Sequence, residues 1–434
     1  MPYTARLRTA VGAVRACLQS LGLDTQSARF TEHGEHQPDS DAPLVMVACS
    51  GGRDSIALAA VSGIVCASLG LRCGAAIIDH GLQSGSDIVA NETMRRCTDL
   101  GLHPVIVQRV SVDATSGNGI EAAARAARYQ ALEDIATRNG SAVMLLAHTK
   151  NDQAETVLID VLRSGGTDAL AGMPAISVRN GVRFARPLLS LSREDTGGIC
   201  HDLNLEWWDD PTNGDHMDPD VPLPDDYPLR SRIRHTLLPF IEHFAGGDMV
   251  SKLSESARLA AIDKDYLDQC CDEVTQRTVT ISDASLSHSL EAQRDPSSEL
   301  LSESSGKMLH KQSCEEPNEA THNTPHNTLH NTFSTSTRNT PNEGLREILR
   351  FDVHNLEGEH QAIRLRVIAH ALAAVDIEVS SRHIEAIDRL ITDWHGQGPV
   401  SLPSGYSANR RKHVIRVCQD SGHENRRCSR ANRP

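Results

Sequence analysis

Apolar residues at 7, 11, 14, 18 and 21 recur at helical spacing, so the chain opens on an amphipathic helix. Residues 25–42 are polar and read as a loop. After them, short apolar runs alternate with longer helical patterns. The runs cover residues 44–49, 73–78, 105–110 and 142–147, and the helical stretches cover 55–71, 121–138 and about 152–162. Strands that alternate with helices form βαβ units, so this block predicts an α/β fold. Its expected core is an open parallel sheet with helices on both faces.

The pattern changes after residue 193. A helix is expected, then an acidic Pro/Asp loop over 209–227, then a basic cluster over 230–235. Helical periodicity returns over 251–271. Residues from about 281 to 343 hold almost no aliphatic clusters and repeat His-Asn-Thr at 322, 326 and 330. Such a segment cannot bury enough apolar surface to offset its conformational entropy, so a disordered linker is expected. Order resumes at Leu345, with helices expected over 363–374 and 381–394 and short strands over 396–403 and 414–417. The expected organisation is therefore an N-terminal helix and loop (1–42), a catalytic α/β domain (43–240), a helical extension (241–280), a linker (281–344), a small α+β domain (345–418) and a basic tail (419–434).

Composition narrows the functional classes. Forty-three Lys and Arg against fifty-seven Asp and Glu give a net charge of −14. That excludes a uniformly basic nucleic-acid binder and confines any such contact to local patches. Arg6, Arg8 and Arg15 break up any signal-peptide core. The uncharged stretch 55–71 is shorter than the ~20 apolar residues of a membrane span. Eleven cysteines, with no C-x-x-C pair, imply reduced thiols and a cytoplasmic location.

The strongest chemical signal is Val45-Met46-Val47-Ala48-Cys49-Ser50-Gly51-Gly52-Arg53-Asp54-Ser55. An apolar strand feeds a Gly-Gly turn that opens directly into a helix. The glycines let successive backbone N–H groups converge on an anion, and the helix N-terminus adds unpaired donors and partial positive charge. Ser50 and Ser55 add hydroxyls, and Asp54 can hold magnesium on bound phosphates. The Walker A pattern is absent. The bland reading is an ordinary strand, turn and helix with a polar cap. The second signal, Ala147-His148-Thr149-Lys150-Asn151-Asp152-Gln153-Ala154-Glu155-Thr156, also follows an apolar run. Asp152 and Glu155 share one face of a helix's first turn, where they can bind a metal, hold a cation, or merely complement the helix dipole.

Together these motifs resemble the pyrophosphate-loop enzymes, and within them the tRNA(Ile)-lysidine synthetases. The resemblance extends through Ile78-Asp79-His80-Gly81-Leu82, Ala124-Arg125-Ala126-Ala127-Arg128-Tyr129, Arg163-Ser164-Gly165-Gly166, Arg186-Pro187-Leu188-Leu189, Asp210-Pro211-Thr212-Asn213 and Arg230-Ser231-Arg232-Ile233-Arg234-His235. Residues 345–417 resemble the family's smaller tRNA-contacting domain. The resemblance implies an adenine-nucleotide pyrophosphatase fold and a two-step reaction. The wobble cytidine of isoleucine tRNA with a CAU anticodon would attack the α-phosphate of ATP, and free lysine would then displace AMP. It also implies ATP and Mg2+ as cofactors and no membrane partner, and it is compatible with a homodimer.

Site roles follow from the same resemblance. Ser50, Gly51, Gly52, Arg53, Asp54, Ser55, Asp79, His80 and His148 would bind ATP. Asp54, Asp152 and Glu155 would be catalytic, with Asp54 and Glu155 toward the metal. Arg125, Arg128, Arg230, Arg232 and Arg234 would hold tRNA or the adenylate. Two positions depart from the family pattern: Asn151 stands where an Asp is usual, and Ser231 where an Asn is usual. Two other readings remain open here, a pyrophosphate-loop tRNA 2-thiolation enzyme and a non-catalytic ATP- or tRNA-binding homologue. The missing C-x-x-C weighs against the first. The presence of both Asp54 and Glu155 weighs against the second.

Overall fold

The computed structural model describes residues 3–32, 36–81, 85–111, 120–163, 166–214, 217–218, 221–282 and 345–420. It divides into two units, Met1–Tyr266 and Leu267–Pro434.

In the first unit the apolar runs pair as expected. Strands β1 (Leu44–Ala48), β2 (Arg72–Asp79), β3 (Val105–Arg109) and β4 (Ser141–Leu145) join β5 (Ile176–Arg179) and β6 (Val182–Ala185) in a six-stranded sheet of order 3-2-1-4-6-5. Every pairing is parallel except β5 with β6. Their hairpin turns at Asn180-Gly181, both at positive φ, the conformation a tight two-residue hairpin demands. The sheet is thus mostly rather than wholly parallel.

Side chains alternate across the sheet, which decides what each face packs against. Val45, Val47, Ala75, Ile77, Val143 and Leu145 share one core with residues of α1 (Ala5–Ser20), α2 (Arg53–Leu69), α3 (Ser86–Asp99) and α6 (Arg193–Asp202). Leu44, Met46, Ala76, Met144 and Phe184 face the other way, onto Tyr129, Leu132, Ile135 and Ala136 of α4 (Ile120–Asn139). Burial on both faces explains why these strands read as continuous apolar runs. Helix α3 escaped the sequence reading because its buried stripe is Ala90, Thr93 and Cys97, small residues with little periodic contrast.

Helix α5 (Lys150–Arg163) follows β4 and packs Ala154 and Ile159 against Ile233 and Leu238. Those two belong to one helical run: α7 (Leu229–Arg232), a π-helical stretch Ile233–Leu237, and α8 (Leu238–Ala245). Helix α9 (Met249–Thr278) then carries the chain across the boundary between the units.

The second unit is a five-stranded antiparallel sheet of order 7-8-11-10-9, built from β7 (Val279–Ile281), β8 (Leu345–Asp352), β9 (Val400–Ser401), β10 (Tyr406–Arg411) and β11 (Val414–Asp420). Among the described residues, α10 (Val353–Glu357), α11 (Gln361–Ala373), α12 (Ser381–Thr392) and the end of α9, through Cys271 and Val274, pack into its core. Leu349, Phe351, Val367, Ile368, Leu372, Ile387, Ile391, Ile415 and Val417 form its core. A buried Arg364–Asp388 pair at 2.6 Å ties α11 to α12.

In this unit the described residues run to 282, against an expected linker start at 281. Strand β7, placed by sequence at the edge of the linker, is a neighbour of β8, with Ile281 opposite Leu349 and the Ser282 N–H donating to the Ile348 carbonyl. Residues 283–344 therefore connect two hydrogen-bonded strands of one sheet. Those residues, with their His-Asn-Thr repeat, and the tail 421–434 lie outside the described residues.

Candidate functional site

In the strand order 3-2-1-4-6-5, chain connections diverge to opposite sides between β1 and β4, which opens a crevice at their carboxyl ends. Both sequence motifs end there. After β1, Gly51 bends at φ +86°, and a Cβ on it would lie 2.3 Å from the Thr93 hydroxyl of α3. Only glycine fits that turn. The Gly51 carbonyl accepts from the Trp208 N–H at 2.9 Å. Inside the loop the Ser55 hydroxyl donates to the Gly52 carbonyl at 2.8 Å and accepts the Ser50 N–H at 3.2 Å. No side chain caps the N-terminus of α2, which leaves its first N–H groups for an anion. Cys49 beneath the loop is buried, its Sγ 3.5 Å from the Ser55 hydroxyl.

Arg193, which the sequence reading did not single out, joins the two motifs. It opens α6 behind a capping box of Ser192 and Asp195. Its guanidinium reaches Asp152 at 3.0 Å, Glu155 at 3.2 Å and Asp54 at 3.6 Å. Burial disfavours its charge, but the three carboxylates outweigh that and raise its pKa. The Thr196 hydroxyl, one turn on, donates to Asp54 Oδ1. Asp54 sits above the usual carboxylate range because it is buried, despite Arg193 and Thr196.

Asp152 behaves oppositely. Burial pushes its pKa up, but Arg193, His148 and the Thr149 N–H and hydroxyl, both donating at 2.8 Å, hold it at about 2. Glu155 is wholly buried and accepts from three guanidiniums: Arg234 at 2.8 Å, Arg193 at 3.2 Å and Arg230 at 3.3 Å. The metal and cation role expected for Glu155 meets a carboxylate held by arginines in this structure. Both of its oxygens are already committed to arginines, so it organises positive groups and offers no free lone pair to a metal. Among the described residues no group of three or more His, Cys, Asp or Glu side chains could hold a metal by itself.

Arg230 and Arg234 thus lie in the site through Glu155, Arg230 also donating to the Thr156 hydroxyl at 3.2 Å. Arg232 does not. It points to the opposite side of its helical turn, onto Asp225 at 2.6 Å. The two departures from the family pattern have structural work. The Asn151 side-chain oxygen accepts the Arg193 N–H at 2.9 Å, anchoring the helix that carries the bridging guanidinium. The Ser231 hydroxyl donates to the Thr212 carbonyl at 2.9 Å, while Arg234 donates to Asn213 at 3.2 Å, so the basic turn is pinned to the 210–213 loop.

A positive rim lies beside these carboxylates. Tyr129 is buried, with the Arg179, Arg125 and Arg128 guanidiniums 4.4, 5.1 and 5.7 Å from its ring centroid. Arg186, also missed, is buried and donates to the Tyr129 hydroxyl at 3.5 Å. Burial first, then Arg186, Arg128 and Arg230, depress His148 to about 3, Asp152 opposing them. Burial and Arg128 likewise lower His80. Both rings are neutral at physiological pH, and their Nδ1 atoms are buried without a partner among the described residues. Asp79 accepts the Gly81 N–H at 2.9 Å and lies 3.7 Å from Arg109, at the neighbouring strand end. Phosphates suit such a rim.

The chain matches the PP-loop domain over residues 24–241 and the TilS substrate binding domain over 351–417. A tRNA(Ile)-lysidine synthase of Bifidobacterium longum subsp. infantis is 53% identical over 98% of this chain and all of its own length. The chain belongs to the tRNA(Ile)-lysidine synthase family. A tRNA(Ile)-lysidine synthase of Bifidobacterium animalis subsp. lactis is 45% identical over the whole of both chains, and one of Streptomyces coelicolor is 35% identical over 85% of this chain and 84% of its own. The family is one of ATP-using, tRNA-modifying ligases of the PP-loop class. The thiolation reading is not favoured. No described helix is long and apolar enough to cross a membrane.

Proposed function

We propose that the crevice between β1 and β4 adenylates the wobble cytidine of isoleucine tRNA with a CAU anticodon and then joins free lysine to it. The observation that carries this reading is the Arg193 bridge, which puts the glycine loop and the α5 acid pair into one site. Ser50, Gly51, Gly52, Arg53 and Ser55 hold the pyrophosphate that leaves when the cytidine carbonyl oxygen attacks the α-phosphate. Arg128, Arg186 and Arg230 face the remaining phosphate charge. Neutral His80 and His148 present ring nitrogens to the nucleotide.

Asp54 fits magnesium: its carboxylate is a hard oxygen donor at the mouth of a phosphate loop, with Oδ2 held, among the described residues, by the longer Arg193 contact at 3.6 Å. When bound, the ion neutralises charge developing on the pyrophosphate. Asp152 stays ionised to about pH 2, so it attracts the lysine ammonium but is too weak a base to deprotonate it at neutral pH. Glu155 is a positioning residue for Arg193, Arg230 and Arg234. Free thiols throughout the described residues support a cytoplasmic location. Sedimentation of the purified chain distinguishes a monomer from the homodimer.

The test is incubation with ATP, Mg2+, labelled lysine and a tRNA(Ile) transcript bearing CAU. Lysine should enter acid-insoluble RNA and appear on one cytidine after nuclease digestion. A folded protein that leaves all label soluble contradicts the reading.

A further inference from the structure

The helical run 229–245 does two different things along its length. Its first half sends Arg230 and Arg234 onto Glu155. Its second half exposes two phenyl rings, Phe240 and Phe244, 64% and 83% accessible. The rings stack on each other, centroids 6.3 Å apart and planes 19° off parallel. In a chain with only six phenylalanines, two side by side in water are conspicuous. At 1.5 Å per residue they lie about 9 and 15 Å along the axis from Arg234. The π-helical stretch Ile233–Leu237, which carries Arg234, precedes the half that bears the rings, a distortion frequent at functional sites.

We propose that Phe240 and Phe244 form a stacking platform for the anticodon-loop bases that flank the target cytidine. This rests on the function proposed above. For its carbonyl oxygen to reach an α-phosphate in the crevice, the cytidine must leave the base stack of its loop. Its neighbours then lose a stacking partner, and an exposed aromatic face replaces it without reading base identity. Arg230 and Arg234, on the same run, are held on Glu155, so the rings contribute stacking and not charge.

The experiment uses the full chain and CAU tRNA carrying 2-aminopurine next to the target cytidine. Phe240→Ala, Phe244→Ala and Phe244→Leu should raise the tRNA KM roughly five- to a hundredfold, the range of a single base–aromatic stack. They should weaken 2-aminopurine quenching and leave the lysine KM and melting temperature unchanged. Phe244→Tyr should keep wild-type behaviour. An unchanged tRNA KM in the alanine variants overturns the proposal. So does full function in Phe244→Leu, or a shift of oligomeric state or melting temperature on substitution, which would assign the rings to a protein contact. Should the wild-type chain form no lysidine, the proposed reaction fails, while quenching on tRNA binding still tests the platform.

Discussion

Arg193→Ala removes the group that joins the two halves of the site. The wild-type cluster sets three carboxylates (Asp54, Asp152, Glu155) among four guanidiniums (Arg53, Arg193, Arg230, Arg234). The variant leaves three against three and removes the one guanidinium that touches all three carboxylates. Arg193's side chain is only 13% exposed, and Glu155's is fully buried, so water cannot compensate. Stripping one partner from a buried ion-pair network costs about 3–5 kcal/mol. At ~2–4 °C per kcal/mol for a domain of this size, the melting temperature should fall by roughly 6–20 °C in differential scanning calorimetry. Displacement of Asp54 and Asp152 should slow tRNA-dependent pyrophosphate release by on the order of a hundredfold. Arg193→Lys keeps the charge but cannot fork to three carboxylates, so its melting temperature should fall in between. A variant melting within about 2 °C of wild type, with normal pyrophosphate release, would show that the carboxylates do not depend on this bridge.

Asp54→Asn should abolish pyrophosphate release while leaving tRNA affinity in a filter-binding assay largely intact; wild-type turnover would remove the metal role. His148 has a folded pKa near 3 against about 6.5 when unfolded, so the unfolded state binds more protons between those values. Stability should therefore drop as pH falls below about 6.5, and His148→Gln should flatten that part of the urea-unfolding profile. An unchanged slope would contradict the burial argument. Because β7 and β8 are adjacent antiparallel strands, replacing residues 283–344 with a short Gly/Ser turn should preserve the fold of the second unit and lysine transfer. A variant that folds but binds tRNA more weakly would give that segment a role in RNA contact.

Much of this architecture was legible because both sheet faces are covered. Strands buried on two sides read as short apolar blocks, and the glycine loop and Asp152–Glu155 pair lie immediately after two of them. The Asn180-Gly181 hairpin went unread, although Asn-Gly is the usual sequence for such a turn. Arg193 and Arg186 were not legible. An arginine beside a predicted helix start or in a Pro-containing turn carries no local sign that tertiary folding will bury it among carboxylates or against a tyrosine. The same limit explains Arg232, whose alternation with Arg230 and Arg234 suggested a shared role that helical geometry divides. Strand β7 was hidden because its partner lies more than sixty residues away in sequence.

The most direct test of the central claim is pyrophosphate exchange into ATP, followed with tRNA and lysine supplied separately. If the RNA carbonyl oxygen is what attacks ATP, labelled pyrophosphate should return to ATP with CAU tRNA alone and without lysine. Exchange that requires lysine but no tRNA would mean that the amino acid is adenylated instead, and would contradict the account.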